Sequence, residues 1–214
     1  MFTARSIFKL NFSRCQSTII DKSIPNLLDL RVGFIKHIEK HPGADSLYVS
    51  QVALSPQDHE DEVKYVQIVS GLVNFLPMAE LFNRRVVVVN NLKPSSMRGV
   101  KSSGMLLCSE KISDGSADGE VTHKVMPISP PAMVELGSLL EFKVSNDIKG
   151  NVNFDVDPKK RIKSKVWKEF ANHLKSNNAG VVCWGDQTWT LGIEKDGQWR
   201  EATVDSGFEE CPIR

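Results

Sequence analysis

Short apolar segments of strand length, separated by turn residues, recur between residues 28 and 144 and constrain the fold more than any other feature. In several of them apolar and polar residues alternate, as expected for strands that bury one face. Pro77–Phe82 instead predicts one short helix with proline at its start. The segments that predict strands are Leu28–Ile38, Leu47–Leu54, Tyr65–Val69, Val86–Val89, Gly104–Cys108 and Leu139–Val144.

This pattern predicts a mainly β domain over residues 27–145. His41–Asp45 supplies the turn between the first two strands, and the Pro- and Gly-containing stretches elsewhere serve the same purpose. A series of short strands with one small helix suits a five-stranded OB-fold barrel. Such barrels commonly bind oligonucleotides.

The segment Asn91–Cys108, hereafter the motif, follows the valine-rich strand and concentrates positive charge. Glu110 is the one acid between residues 84 and 111, and the basic residues are interleaved with Ser, Gly and Met. They cannot form one helical face, so we predict a surface loop between strands. Backbone amides, hydroxyls and cations on one loop suit a partner that carries phosphates. The basic residues between positions 84 and 111 are Arg84, Arg85, Lys93, Arg98, Lys101 and Lys111; of these, Lys93, Arg98 and Lys101 lie within the motif.

Residues 146–214 predict a small α+β subdomain that packs on the barrel. Asp157-Pro158 is a helix start, with Asp as N-cap and Pro at the first helical position. Asn177–Gly180 is expected to end the helix and Phe208–Arg214 to fray. A buried stripe at i+4 spacing is surrounded by cations that form a second candidate contact for phosphates. The stripe consists of Ile162, Val166, Phe170 and Leu174, and the cations are Lys159, Lys160, Arg161, Lys163, Lys165 and Lys168. After the helix, three strands are predicted: Ala179–Trp184, Thr188–Ile193 and Trp199–Val204.

Residues 1–20 read as a mitochondrial targeting segment, with a disordered tail as the alternative. They contain Arg5, Lys9 and Arg14 and no acid, and Lys9 and Asn11 interrupt the apolar core that a signal peptide needs. The rest of the chain has 24 basic and 26 acidic residues. Nucleic-acid affinity must therefore come from a local patch. No apolar run approaches the ~20 residues of a membrane span, so we expect no membrane association. The expected site is the mitochondrion, with the cytoplasm as alternative.

The sequence offers no constellation of residues for catalysis. The five histidines and the acidic run Asp58–Glu62 show no metal-ligand spacing or paired carboxylates, and no serine stands in a nucleophile elbow. Cys108 and Cys183 lie in apolar runs, and we predict reduced core thiols there. His41 precedes a proline in a turn, where a structural role is expected. We predict a non-enzymatic protein without cofactor or metal.

The motif and four other blocks closely resemble the tRNA-binding OB-fold module of endothelial-monocyte-activating polypeptide II, yeast synthetase cofactors and small bacterial tRNA-binding proteins. The resemblance covers roughly residues 27–205. It implies a barrel with an appended C-terminal region that imitates a dimer interface within one chain, hence a monomer. It also implies tRNA as partner, with an aminoacyl-tRNA synthetase as candidate second partner. The other blocks are Leu28–Gly33, His41–Val49, Ile68–Asn74 and Asp157–Trp167.

The candidate RNA-binding residues fall mostly in the motif. Lys can give phosphate a point charge and Arg a bidentate fork, and glycines at 99 and 104 allow a close backbone approach. Met105 serves either the core or a base. Asn74 and Asn91 either read an unpaired base or cap a turn. Arg31 reaches the groove or forms a surface ion pair. The full set is Lys93, Arg98, Lys101, Ser102, Ser103, Met105, Asn91, Asn74 and Arg85.

The sequence favours a protein that recognises folded tRNA by shape and phosphate contacts and acts as a synthetase cofactor or tRNA chaperone. The alternatives are a scaffold module for a synthetase complex with little RNA affinity, and a secreted signalling polypeptide. Ser96 stands before Met97-Arg98 where relatives commonly have Lys, and only residues 21–27 precede the barrel where many relatives have a Lys-rich arm. Both departures predict modest affinity that falls quickly with salt.

Overall fold

The computed structural model describes residues 27–55, 63–114, 121–144, 160–185 and 189–214. The predicted targeting segment, the acidic run at 58–62 and the predicted helix start at 157–158 lie outside these ranges. The barrel region contains the helix α1 Met78–Leu81 and ten strands: β1 Leu30–Lys40, β2 Tyr48–Ala53, β3 Tyr65–Ser70, β4 Arg85–Val89, β5 Ser95–Met97, β6 Val100–Ser102, β7 Met105–Leu106, β8 Cys108–Asp114, β9 Val121–Pro127 and β10 Leu139–Val144.

The C-terminal region is a small α+β unit, as predicted. It contains the helix α2 Ser164–Ala171 and the strands β11 Leu174–Ser176, β12 Val182–Trp184, β13 Trp189–Lys195 and β14 Gln198–Glu201. Its sheet is continuous with the barrel, because β13 pairs with β10. Neither α1 nor α2, the two helices of the described ranges, has the length and apolar character that crossing a bilayer requires.

The long strand β1 organises an antiparallel, OB-like barrel. Its first half pairs with β4 on one side and β10 on the other, and its second half pairs with β2. The register between β1 and β2 shifts between Ile35 and His37, a bulge that bends the strand as barrel closure requires. β2 then pairs with β3, and β4 pairs with β7. The predicted mainly β fold with an OB barrel is confirmed.

The valines of β4 alternate between two hydrophobic cores. Val86 and Val88 point into the barrel interior with Ile35, Val52 and Ile68. Val87 and Val89 point into a second core. A strand buried on both faces reads as a continuous apolar run, which explains the uninterrupted valines of the sequence.

The second core joins the barrel to the C-terminal region. It contains Leu30 and Val32 of β1 together with Phe170 of α2 and Trp184 of β12. The Phe170 and Trp184 rings are stacked, with centroids 5.8 Å apart. The prediction that the C-terminal region packs on the barrel is confirmed, and this core supplies the apolar burial that so small a unit lacks by itself.

The predicted C-terminal helix is wrong in its extent. α2 begins at Ser164 and ends at Ala171, and the extended residue before it, Lys163, makes no side-chain cap. Ile162 is bridged to Leu92, and Leu174 begins β11. The four stripe residues do pack into one core, but they come from three different elements. Tertiary pairing at both ends has overridden the helical spacing.

The end of the chain is ordered, which corrects the prediction that Phe208–Arg214 frays. Ile213 is fully buried and Phe208 nearly so. Arg214 N donates to Cys108 O (2.8 Å) and Cys108 N donates to Arg214 O (2.7 Å), so the tail adds a strand-like edge to β8. The buried apolar residues of this segment, and not the two exposed glutamates at 209 and 210, determine that it packs against the rest of the protein.

Candidate nucleic-acid interface

The middle of the motif is a two-stranded hairpin, β5–β6, whose strands pair with each other and not with the main sheet. Met97 pairs with Val100, which leaves a two-residue turn at Arg98 and Gly99. Both turn residues have positive φ, 48° and 91°, as a type I′ turn requires. The sequence therefore places an exposed arginine at the tip of a tight turn. We call residues 95–102 the motif hairpin.

Side-chain bonds on two sides hold the motif hairpin to the barrel. Ser102 Oγ accepts from Val69 N (3.0 Å) and donates to Gly104 O (3.0 Å). Gln67 Nε2 donates to Lys101 O (2.7 Å), and Ser103 N donates to Gln67 O (2.8 Å). Ser102 is buried, so its hydroxyl positions the hairpin on β3 and is not open to a ligand. The prediction that Ser102 contacts RNA directly is therefore wrong.

His41 holds the hairpin from the other side. The ring is buried, its Nδ1 accepts from Gly43 N (2.9 Å), and its Nε2 lies 3.0 Å from Met97 O. Because Nδ1 is the acceptor, the neutral ring carries its proton on Nε2 and donates it to Met97 O. The predicted structural role of His41 is confirmed. Its bond to the motif was not foreseen, since 56 residues separate the partners.

Three cations of the motif are exposed and outside any ion pair of the described ranges. They are Lys93, Arg98 and Lys101. No acid stands between residues 91 and 109. Arg84, just before β4, is by contrast paired with Asp205 at 2.8 Å. Unpaired cations on a tethered hairpin are available to an anionic partner without first breaking an internal contact.

Three clefts lie beside the motif: an apolar one, a polar one, and a third of about 660 Å³ that Met97 and Arg98 line with residues 43–47. An apolar cleft of about 320 Å³ is lined by Lys93, Met97 and Met105, among others, with Ser70 and Arg214 at its walls. The Ser70 hydroxyl is buried there without a hydrogen-bond partner. Cys108 also lines this cleft, and burial raises the pKa of its thiol to about 12. The thiol is therefore protonated and not nucleophilic at neutral pH.

The second cleft is polar and has a volume of about 590 Å³. Ser103 lines it together with Gln67, the half-exposed Tyr65 and Arg161 of the C-terminal region. Arg31 also lies here, bonded to Asp29 and donating to Gly137 O (2.9 Å). Arg31 thus forms the predicted ion pair, although with the fully buried Asp29, and it also reaches the cleft, which was the alternative. Consecutive serines, Ser102 and Ser103, face opposite sides of the motif, as residues of an extended chain do.

Two predicted binding residues are bonded to other parts of the protein. Asn91 is fully buried; its Nδ2 donates to Leu27 O (2.7 Å) and Lys160 O (3.2 Å), and its Oδ1 accepts from Asp29 N (3.0 Å). These bonds occupy the amide, so it does not read a base, and they join segments distant in sequence, so it does not cap a turn either: neither predicted alternative describes Asn91. Arg85 donates to Val134 O and lines neither the apolar nor the polar cleft; its contact with RNA stays a prediction.

The remaining predicted residues keep their candidate status. Asn74 is exposed in the turn after β3, beside Leu72, which lines the apolar cleft. Met105 is half-buried, packs against the second core and lines the same cleft. Met105 therefore takes part in core packing and is also accessible from the cleft, where contact with a base stays a prediction. Gly99 has open space around its Cα, whereas a Cβ at Gly104 would lie 3.2 Å from Val89 O. Gly104 thus serves packing of the barrel and not approach to a ligand.

Among the residues described, no group of three or more His, Cys, Asp or Glu side chains is placed to hold a metal ion. Cys108, Cys183 and Cys211 are free thiols, in agreement with the predicted reduced state of the first two. The interface thus consists of cations, hydroxyls and apolar surface. This combination suits phosphates and bases, and it defines a nucleic-acid-binding OB-fold protein.

The chain belongs to the family described as "Putative tRNA binding domain", which matches residues 30–138. It is 38% identical over 147 residues to "Tyrosine--tRNA ligase, cytoplasmic" of Gallus gallus, covering 69% of this chain and 25% of the ligase. It is 36% identical over 168 residues to "tRNA-aminoacylation cofactor arc1" of Schizosaccharomyces pombe, covering 77% of this chain and 32% of the cofactor. The chain thus spans a quarter to a third of these relatives.

The fold extends beyond the family match. The crystal structure of the C-terminal domain of Plasmodium vivax p43 aligns with 88% of this chain and 98% of its own length, at 26% identity and a TM-score of 0.63. The C-terminal region described above is therefore shared with that domain. The resemblance stated from the sequence motifs is confirmed.

Proposed function

We propose that this protein binds folded tRNA without catalysis and presents it to an aminoacyl-tRNA synthetase. The observation that carries the proposal is the set of motif cations: Lys93, just before the motif hairpin, and Arg98 and Lys101 within it are exposed and outside any ion pair among the described residues, in a member of a tRNA-binding family. Recognition rests on shape and phosphate positions, because the motif offers cations and few free groups for reading base edges. The names of the relatives, a tyrosine–tRNA ligase and an aminoacylation cofactor, support the synthetase partner.

The test is binding of the full chain to unmodified tRNA at two salt concentrations, comparing Lys93→Ala/Arg98→Ala with wild type. Loss of two phosphate contacts should lower the slope of log affinity against log salt by roughly 1.4–1.8. The matched control is Lys111→Ala/Lys124→Ala, a cross-strand pair in the β8–β9 hairpin. Equal affinity of both variants and wild type would contradict the assignment of the motif. A chain that captures a synthetase but not tRNA would favour the scaffold alternative.

We propose a mitochondrial site of action for the same protein. The support is the composition of residues 1–20, with three basic residues and no acid. N-terminal sequencing of the protein from isolated mitochondria should find a start beyond this segment. An intact Met1 on cytoplasmic protein would contradict the proposal. RNA that co-purifies with the organellar protein should be enriched in tRNA.

We further propose that the protein is monomeric, with the C-terminal region occupying the place of a second subunit. The support is the second core, in which Phe142 of β10 and Phe170 of α2 pack edge to face at 5.7 Å. Light scattering of the purified chain should give a mass near 24 kDa, the value of the single chain. A stable dimer would contradict it.

A further inference from the structure

A run of cations in the C-terminal region is joined directly to the start of the motif. Ile162 N donates to Asn91 O (2.9 Å), and Lys93 N donates to Ile162 O (3.3 Å), which forms a parallel bridge between Leu92 and Ile162. Arg161 Nη1 adds a bond to Asn90 O (2.6 Å). We call Lys160–Lys168 the C-terminal basic segment. Although about 70 residues separate the two segments in sequence, their backbones are hydrogen-bonded to each other.

The core fixes which side of this segment meets solvent. Ile162 and Phe170 are buried in the second core, and Val166 and Trp167 pack against it. The charged residues therefore point outward. Lys165 and Lys168 are three positions apart on α2, so they share one face of the helix. All five cations of the segment are exposed: Lys160, Arg161, Lys163, Lys165 and Lys168.

These cations carry an excess charge that no acid in the described ranges neutralises through an ion pair. Glu169 is the one acid between residues 160 and 170. Where β10 of the barrel pairs with β13, by contrast, Lys143 is paired with Glu194 at 3.2 Å, and Lys195 of β13 with Glu135 at 3.8 Å. Outside residues 1–20 the chain has slightly more acids than bases. Because these unpaired cations are concentrated next to Lys93, they indicate an anion-binding surface.

We propose that the C-terminal basic segment is the second half of the RNA-binding surface and contacts phosphates of the same RNA that the motif hairpin binds. This inference rests on the proposed function. Arg161 links the two halves, because it bonds to Asn90 beside the motif and lines the polar cleft with Ser103 and Tyr65. RNA in that cleft would contact Ser103 of the motif and Arg161, which stands three residues before the start of α2. The family match ends at residue 138 and does not include this segment.

The chemistry of the segment favours RNA over a protein partner. Stable protein interfaces have an apolar or aromatic centre. The outward face of this segment consists of lysines, Arg161 and Ser164, while its apolar residues are turned to the core. Cations without an apolar centre match a phosphate backbone, whose binding is driven by release of counterions.

The test compares Lys165→Ala/Lys168→Ala with wild type and with the control Lys111→Ala/Lys124→Ala, each as the full chain. Alanine preserves the helix, and circular dichroism with a melting curve verifies folding. Affinity for unmodified tRNA is measured by fluorescence anisotropy from 50 to 300 mM salt. We expect the salt slope of the α2 variant to fall by about 1.5 and its affinity at 0.1 M salt to fall ~10-fold or more, since each phosphate contact contributes roughly 0.7–0.9 to the slope. The control should keep the wild-type slope.

The outcomes separate the two proposals. Wild-type binding with an α2 variant that matches the control overturns the inference and leaves the proposed function standing. Absence of tRNA binding by the wild type overturns both. Unchanged RNA affinity combined with loss of a synthetase partner assigns the segment to protein binding and also overturns the inference. As a second variant, Arg161→Ala should weaken binding at both halves, because it removes a cation and the bond to Asn90.

Discussion

The two hairpins that leave the main sheet, β5–β6 and β8–β9, differ in how their charges are used. In the motif hairpin the cations are exposed and unpaired, while the backbone is bonded to the barrel by Ser102, Gln67 and His41. In β8–β9 most of the charged side chains described are bonded within the molecule: Glu110 contacts His123 at 2.6 Å and Arg214 at 3.0 Å, and Lys111 donates to Gly207 O (2.6 Å). A hairpin stabilised through its backbone keeps its charged side chains for a ligand. A hairpin whose charged side chains are bonded within the molecule does not leave them available to a ligand.

The largest effect should come from removing the hydroxyl that bonds the motif hairpin to β3. Ser102→Ala leaves Val69 N without its acceptor in a buried position, which costs about 1–3 kcal/mol of unfolding free energy. Affinity for tRNA should fall with it, because the hairpin loses its position. The counterpart in β8–β9, Thr122→Ala, removes a weak exposed bond to Ser113 (3.4 Å) and should change neither. Urea melts measure the unfolding free energy and binding titrations measure the affinity for tRNA. Equal effects of the two substitutions would contradict the difference between the two hairpins.

The next effect concerns the two histidines, one at each hairpin. His41→Ala removes bonds to Gly43 N and Met97 O from a buried ring, so we expect a loss of about 1–2 kcal/mol together with weaker tRNA binding. His123→Ala breaks a more exposed pair with Glu110 and should cost at most about 1 kcal/mol. RNA affinity should distinguish the two: if both variants bind equally well, the bond from His41 does not position the motif.

A smaller effect is expected at the turn. Gly99→Ala puts a side chain at φ 91° in open space, so the cost is backbone strain of roughly 1 kcal/mol and not a clash. Gly197→Ala is the matched control, because Gly197 also follows a positive-φ residue, Asp196, in the turn between β13 and β14. Both variants should lose similar stability in thermal melts. Only Gly99→Ala should weaken tRNA binding, since only that turn displays Arg98.

The smallest effect should follow from neutralising the centre of the β8–β9 charges. Glu110→Gln removes the acid that His123 and Arg214 share, and we expect a loss of ~1 kcal/mol or less that disappears at high salt. Affinity for tRNA should stay level or rise slightly, because Arg214 lines the apolar cleft and is released from its partner. A clear fall in affinity would show that this pairing also serves the interface.

The sequence predicted the barrel strands well because their signal is local. Alternation and turn residues located β1, β2, β3 and β10 to within about two residues of their observed ends, and the Pro77 helix start was correct. The β8–β9 hairpin was missed. Its second strand, Val121–Pro127, includes Thr, His and Lys, most of it exposed, and an exposed strand of mixed polarity has no buried face to generate alternation.

The site was predicted only in part for a physical reason. Residue type identifies Lys93, Arg98 and Lys101 as candidates for phosphate, and all three are exposed. Residue type cannot show that Asn91 is enclosed by Leu27, Asp29 and Lys160, because those contacts depend on the tertiary fold. For the same reason Gln67 was not recognised as part of the site, and Arg161 was predicted as a cation of the helix but not as a neighbour of the motif. Their roles arise from neighbours that are 34 and 71 residues away.

Strand β4 separates two cores and leads directly into the motif, so neither half of the molecule is an independent folding unit. Cutting the chain after β10 would leave Val87 and Val89 facing water, together with Leu30 and Val32. Such a fragment would be prone to self-association through this newly uncovered apolar wall. Thermal denaturation of the intact chain should accordingly be a single cooperative transition, with calorimetric and van't Hoff enthalpies in agreement.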